Sequence, residues 1–213
     1  MSLALLATLA LAVSPAHTTL VAPASRTIDV RNTGRGNVTV DVRFGAPRWL
    51  QIRPQRLALR AGSSGTLTVR ARADARARPG DHELLVLLLA RPPEASRIAV
   101  RMRIGVRVRV RLPGQLVRRV AVRGIRVRRT RAGHVLLVSL WNAGNVTEQL
   151  RGQVTVTLMR GRRLLSRLRY RRRREVFPGA QVVILLRYVG RAHGLVTAIV
   201  TVRGRERRYR LRL

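Results

Sequence analysis

No cysteine occurs in this chain, which excludes a disulfide scaffold, a thiolate metal site and a cysteine nucleophile together. Aromatic residues make up only 3%, so any core must be aliphatic. Acids are scarce as well: nine Asp and Glu stand against 44 basic residues, for a formal charge of +35. Lysine is also missing, so every basic residue is Arg. No stretch is long and uncharged enough to be a membrane-spanning helix, which needs about 20 apolar residues. With four histidines and nine dispersed acids, the usual catalytic constellations are hard to assemble.

What is present is apolar material, 46% of the 213 residues, in alternating order. Residues 98–112 place Ile98, Val100, Met102, Ile104, Val106, Val108, Val110 and Leu112 at even positions and Arg at most odd ones. Period-two alternation of this kind is a half-buried β-strand. Gly105 is the expected site of a bend or bulge. Further strands are expected at 27–32, 38–44, 49–52, 67–71, 83–89, 117–127, 135–141, 153–159, 164–170, 182–188, 195–202 and 207–213, with no helices between them. Residues 84–89 and 182–186 are apolar without alternation, as in strands covered on both faces. Trp49 and Trp141 are expected in the two cores or at the domain junction.

The strand plan occurs twice. Val30-Arg31-Asn32-Thr33-Gly34, then Asn37-Val38-Thr39, is matched by Leu140-Trp141-Asn142-Ala143-Gly144, then Asn145-Val146-Thr147. Later turns at Ala61-Gly62 and Pro79-Gly80 correspond to Pro178-Gly179 and His193-Gly194. Two copies near 100 residues each indicate an all-β chain of two tandem immunoglobulin-like antiparallel sandwiches, at 17–112 and 115–213. Pro113-Gly114 marks the junction. Ahead of them, the apolar run 3–13 followed by Ser14-Pro15-Ala16 reads as an export signal through residue 16. The rival reading is that the run opens the first sheet.

Tests for chemistry are negative. Gly62-Ser63-Ser64-Gly65 lacks the spacing of a nucleophile elbow and reads as a hairpin turn. Asp81-His82-Glu83 is the one acid–His cluster, but on a strand His82 points away from its neighbours, which favours turn capping over a metal site. No catalytic residue, metal or cofactor is assigned. Two Arg clusters are the binding candidates, because guanidinium groups match carboxylate and phosphate geometry. The first is Arg167, Arg169, Arg171, Arg172, Arg173 and Arg174, read as an anion contact. The second is the stripe Arg101, Arg103, Arg107, Arg109 and Arg111, which reads equally well as a solvated sheet face.

The stretch 25–114 resembles the immunoglobulin-like domains of Gram-positive cell-surface proteins. It is similar to the WxL-interacting family through Val30-Arg31-Asn32-Thr33-Gly34, Leu57-Ala58-Leu59-Arg60-Ala61-Gly62 and Arg78-Pro79-Gly80-Asp81-His82. The two-domain, Arg-rich pattern also resembles uncharacterised secreted proteins of actinobacteria. The resemblance implies a non-catalytic secreted or cell-envelope module that contacts an anionic wall polymer or another surface protein through exposed Arg. Nucleic acid is disfavoured, and peripheral contact with a membrane surface stays open. The alternative is a periplasmic pilus-chaperone-like protein that donates a β-strand to a client subunit. The two readings part at one feature: a chaperone needs the strand 98–112 reachable, and a wall-binding module needs it buried.

Overall fold

A computed structural model describes residues 10–91, 101–131 and 133–213. The apolar residues 98–100 and most of the run 3–13 lie outside the described residues. The chain divides into two compact units, the first ending at Gln115 and the second beginning at Leu116. Both are immunoglobulin-like β-sandwiches, and no helix occurs among the described residues.

Among the described residues the first unit contains nine strands: β1 (Leu11–Ser14), β2 (His17–Val21), β3 (Ala24–Asn32), β4 (Val38–Arg43), β5 (Leu50–Arg53), β6 (Arg56–Leu59), β7 (Ser64–Ala71), β8 (Gly80–Arg91) and β9 (Met102–Leu112). One sheet has the order β1-β3-β7-β5 and the other β2-β9-β8-β4-β6. The end of the run read as an export signal therefore opens the first sheet, with Leu11 opposite Asn32 and Ser14 opposite Asp29. The inward residues of the two sheets, among them Ile28, Ile52, Leu67, Leu88 and Leu112, form one aliphatic core. Burying each such side chain stabilises the fold by about 1.5–3 kcal/mol.

The second unit repeats the plan with β10 (Val120–Thr130), β11 (Gly133–Asn142), β12 (Glu148–Gln149), β13 (Val154–Arg160), β14 (Arg163–Arg169), β15 (Glu175–Val176), β16 (Gln181–Tyr188), β17 (Leu195–Val202) and β18 (Arg205–Arg212). Its main sheets run β10-β11-β16 and β14-β13-β17-β18, and β12 pairs with β15. Thus β1-β3-β7 corresponds to β10-β11-β16, and β6-β4-β8-β9 to β14-β13-β17-β18. The first unit adds β5 beside β7 and β2 beside β9.

The repeated Asn turns have one physical job in both units. Asn32 Nδ2 donates to the carbonyls of Gly36, Leu59 and Arg60, and its Oδ1 accepts from Gly34 N. Asn142 Nδ2 donates to the carbonyls of Val146 and Val176, and its Oδ1 accepts from Gly144 N. Both side chains are buried. Each satisfies backbone groups that the end of a strand would otherwise leave unpaired in the core.

Several sequence expectations change. Residues 62–65 do not close a hairpin, because β6 and β7 belong to different sheets; the turn carries the chain across the sandwich. Gly105 causes no register shift between β8 and β9. It is small for a packing reason: a Cβ there would sit 3.0 Å from Leu85 Cδ1. The apolar runs in β8 and β16 alternate after all. Leu85 is 55% exposed, and Val183 and Leu185 are each 51% exposed, whereas Val86, Leu88 and Ile184 are buried. Trp49 is buried in the first core against His82, with ring centroids 5.1 Å apart. Trp141 is only half-buried and sits outside the second core, with the Arg123 guanidinium 4.1 Å from its ring centroid.

Candidate functional site

The site is built on β9. Even residues of this strand face the core: Val106, Val108, Val110 and Leu112 are fully buried, while Met102 and Ile104 at its beginning are half-buried. On one side β9 pairs antiparallel with β8 along its length, from Met102 opposite Ala90 to Leu112 opposite Gly80. On the other side it pairs parallel with β2, but only over Arg107 to Arg111. Cover begins where Arg107 N donates to Ala16 O at 3.0 Å and ends where Ala22 N donates to Arg111 O at 2.9 Å.

Backbone polar groups alternate sides along a strand, so the odd residues of β9 present N–H and C=O toward β2. The same side of Arg103 and Gly105 meets no strand among the described residues. Among the described residues, Met102 to Val106 therefore form an open strand edge, with Met102 and Ile104 half-buried on its apolar face. Chains usually protect such edges with inward charge, proline, bulges or brevity. Among the described residues this half of β9 has no proline, bulge or inward charge, and its one charged side chain, Arg103, points outward.

The outward residues of β9 divide at the same point. Asp81 faces Arg111, with Oδ1 2.6 Å from Arg111 Nε and Oδ2 3.0 Å from Nη2. Glu83 lies between Arg109 and Arg107 at 3.8 and 3.9 Å. Three members of the predicted stripe thus stand beside carboxylates on β8. Arg101 and Arg103 are exposed and have no carboxylate partner among the described residues. Across the sheet, the paired residues set Arg103 beside Leu89 and Leu89 beside Asp41. Both oxygens of Asp41 are already taken, by Arg56 Nε at 2.8 Å and Arg91 Nη2 at 2.5 Å. These hydrogen bonds hold the Asp41 carboxyl below its ordinary value of 3.8, the contact with Arg56 contributing most, against an opposing push from burial.

The acid–His cluster behaves as a strand does. Asp81 and Glu83 share the outer face, and His82 turns inward, its Nε2 2.7 Å from Arg78 O. Among the described residues no group of three potential ligands converges on a metal position. The other predicted cluster lies elsewhere. Arg167 and Arg169 are on the edge strand β14, and Arg171, Arg172, Arg173 and Arg174 follow in the exposed segment leading to β15. Arg169 is engaged locally, its Nε and Nη2 both 3.3 Å from Gly152 O. The two Arg clusters fall in different units. A groove of about 470 Å³ crosses the outer face of β10-β11-β16, lined by Arg123, Arg126, Leu137, Ser139, Gln181 and Val183 among others.

Sequence reasoning found the alternating strand but not its open half, because what β2 covers depends on a pairing partner ninety positions away (His17 opposite Arg107). The solved structures this chain is similar to include fimbrial chaperones. A class 5 fimbriae chaperone, CfaA, matches with a TM-score of 0.56 and 13% identity, over 95% of this chain and 98% of that one. A chain of the chaperone–tip adhesin complex of CFA/I fimbriae matches at 0.52 and 14%, over 96% and 97%. A chain of the Salmonella enterica SafA pilin–SafB chaperone complex matches at 0.50 and 15%, over 97% of each. At these identities the likeness is one of fold: two immunoglobulin-like sandwiches in series. No family model matches, and no curated protein does.

Two expectations are corrected. The resemblance to WxL-interacting and actinobacterial secreted proteins gives way to these structures, since the shared features were turn motifs that any immunoglobulin-like sandwich uses. The reading of a module gripping an anionic envelope polymer through exposed Arg falls with it. It required the strand 98–112 to be buried, and half of the described strand has an open edge.

Proposed function

We propose that this chain is a pilus-chaperone-like protein of the bacterial envelope that holds a client subunit by strand addition at the open edge of β9. The carrying observation is the edge from Met102 to Val106, where Arg103 and Gly105 direct N–H and C=O groups to a side that meets no strand among the described residues, beside a half-buried apolar face. Main-chain hydrogen bonds supply affinity in such complexes, and alternate side chains supply specificity. Two fold-level neighbours come from complexes of a chaperone with an adhesin or a pilin, which accords with a protein partner. The role is non-catalytic. Export by the N-terminal apolar run belongs to the same proposal, and N-terminal sequencing of the mature protein tests where processing occurs.

The test is co-expression with the surface subunits of the source organism, capture on a C-terminal tag, and reconstitution of the complex from purified components. A one-to-one complex is expected. Ile104→Arg, which sets a charge on the apolar side of the edge, should abolish it while leaving the fold intact by circular dichroism. Equal complex formation by the variant would remove β9 from the reading. As an independent check on folding effects, the amides of Arg103 and Gly105 should exchange freely in the isolated protein and become protected in the complex.

A further inference from the structure

The open edge also specifies the chemistry of what it binds. Resting on the strand-addition reading, we infer that the client strand is acidic, with carboxylates at alternate positions and apolar residues between them. The argument begins from the division of charge along β9. Where β2 covers the strand, the outward guanidiniums of Arg107, Arg109 and Arg111 are balanced by Glu83 and Asp81 from β8. Where β2 does not reach, Arg101 and Arg103 are exposed and have no carboxylate partner among the described residues. The β8 residues beside them are Leu89, opposite Arg103, and Arg91, which follows Ala90 and is committed to Asp41. Among the described residues the balancing carboxylates thus lie only beside the half of β9 that β2 covers.

Geometry turns this into a pattern. Arg101 immediately precedes β9 and Arg103 lies within it, two residues apart, the spacing of side chains that share one face when an extended strand continues. A strand added at this edge places its own i and i+2 residues directly beside them, within cross-strand reach. Its intervening residue falls on the opposite face, next to Met102 and Ile104, which pack against the first core. Acid–apolar–acid is the sequence that satisfies all three positions at once. Opposed positive charges would be repelled, since like charges directly across a ladder are destabilising. The surplus of 35 positive charges adds a long-range preference of the same sign, but only the local pair can select the register.

The experiment uses the whole protein and three soluble extended peptides of one length, alternating Val with Glu, Gln or Lys. Affinity is measured by fluorescence anisotropy, with amide exchange at Arg103 and Gly105 locating the site. The Glu peptide should bind about tenfold more tightly than the Gln peptide, and the Lys peptide less tightly than either. Arg101→Gln with Arg103→Gln should erase the Glu-over-Gln preference while the Gln peptide still protects the edge amides. Removing two charges elsewhere, by Arg171→Gln with Arg172→Gln, should leave the preference standing. Equal binding of Glu and Gln peptides, with both protecting the edge amides, would overturn the acidic-client inference and preserve strand addition. Loss of the preference in the distant variant would also overturn it, since net charge alone would then be acting. If no peptide protects the edge amides, strand addition itself fails, and the inference with it.

Discussion

Strands β9 and β18 hold the same place in the two units, yet they finish their sheets in opposite ways. On β18 the core-side row reads Arg205, Arg207, Tyr209 and Leu211, opposite Val202, Val200, Ala198 and Val196 of β17. The two guanidiniums on that row are exposed, and an incoming strand would have to bury them. Charge on the inward side is a common way to keep a sheet edge from pairing. On β9 the core-side row is Met102, Ile104, Val106, Val108, Val110 and Leu112, apolar throughout, and β2 covers only its second half. One duplicated framework therefore carries one edge with inward charge and one apolar edge whose first half meets no strand among the described residues. The difference lies in two or three side chains and one added strand, not in topology.

Exchanging the edges gives the largest expected effects. Ile104→Arg makes β9 resemble β18 and should lower client affinity at least about hundredfold, more than the loss of any single exposed contact, because an unpaired charge must be buried on binding. The reverse exchange, Arg205→Val with Arg207→Val, gives β18 an apolar, unprotected row. Sedimentation should then show concentration-dependent association absent from the parent protein. A variant that stays monomeric would show that inward charge is not what closes β18.

The repeated Asn turns come next. Asn142→Ala leaves the carbonyls of Val146 and Val176 without their donor inside the second unit. About 2–4 kcal/mol of unfolding free energy should be lost, read from the urea midpoint. Asn32→Ala should cost the first unit a similar amount. A large inequality would mean that the two turns are alike in form but not in load. Asp81→Asn is smaller, about 1–3 kcal/mol, since its two-pronged contact holds Arg111 against a side chain only 2% exposed. It should loosen the closed half of β9, seen as faster amide exchange, without changing the open half.

These contrasts also show what could be read from residue order. The two sandwiches were legible because Asn32-Thr33-Gly34 and Asn142-Ala143-Gly144 are local turns, whose chemistry depends on immediate neighbours. The alternation of β9 was legible for the same reason. Strand β2 was not: its residues His17 to Val21 follow an apolar run that suggested export, and their partner lies far along the chain. Gly105 suggested a bulge, whereas its smallness serves Leu85 across the ladder. The Arg stripe looked uniform because nothing in its own order reveals which members meet the acids of β8. Local chemistry gave the elements, and distant pairing decided which edge is receptive.

The smallest effect concerns Asp41, whose carboxyl closes off Arg56 and Arg91 and so leaves Arg103 unserved. Its acidity is raised in the folded state, chiefly by the hydrogen bond from Arg56, so its pKa lies below the ordinary 3.8. A carboxyl depressed on folding binds fewer protons than in the unfolded chain, and its stabilisation is present above the unfolded value. That contribution is lost as pH falls from about 4 through the folded pKa. Asp41→Asn should therefore lie below the parent in stability at pH 7 and converge toward it in acid. Unfolding curves of both proteins between pH 7 and 2 measure the gap. Because both Arg partners are largely exposed, solvent and salt weaken the pairs, and the convergence should be slight. A gap that widened on acidification would show that Asp41 is held by something other than its two guanidiniums.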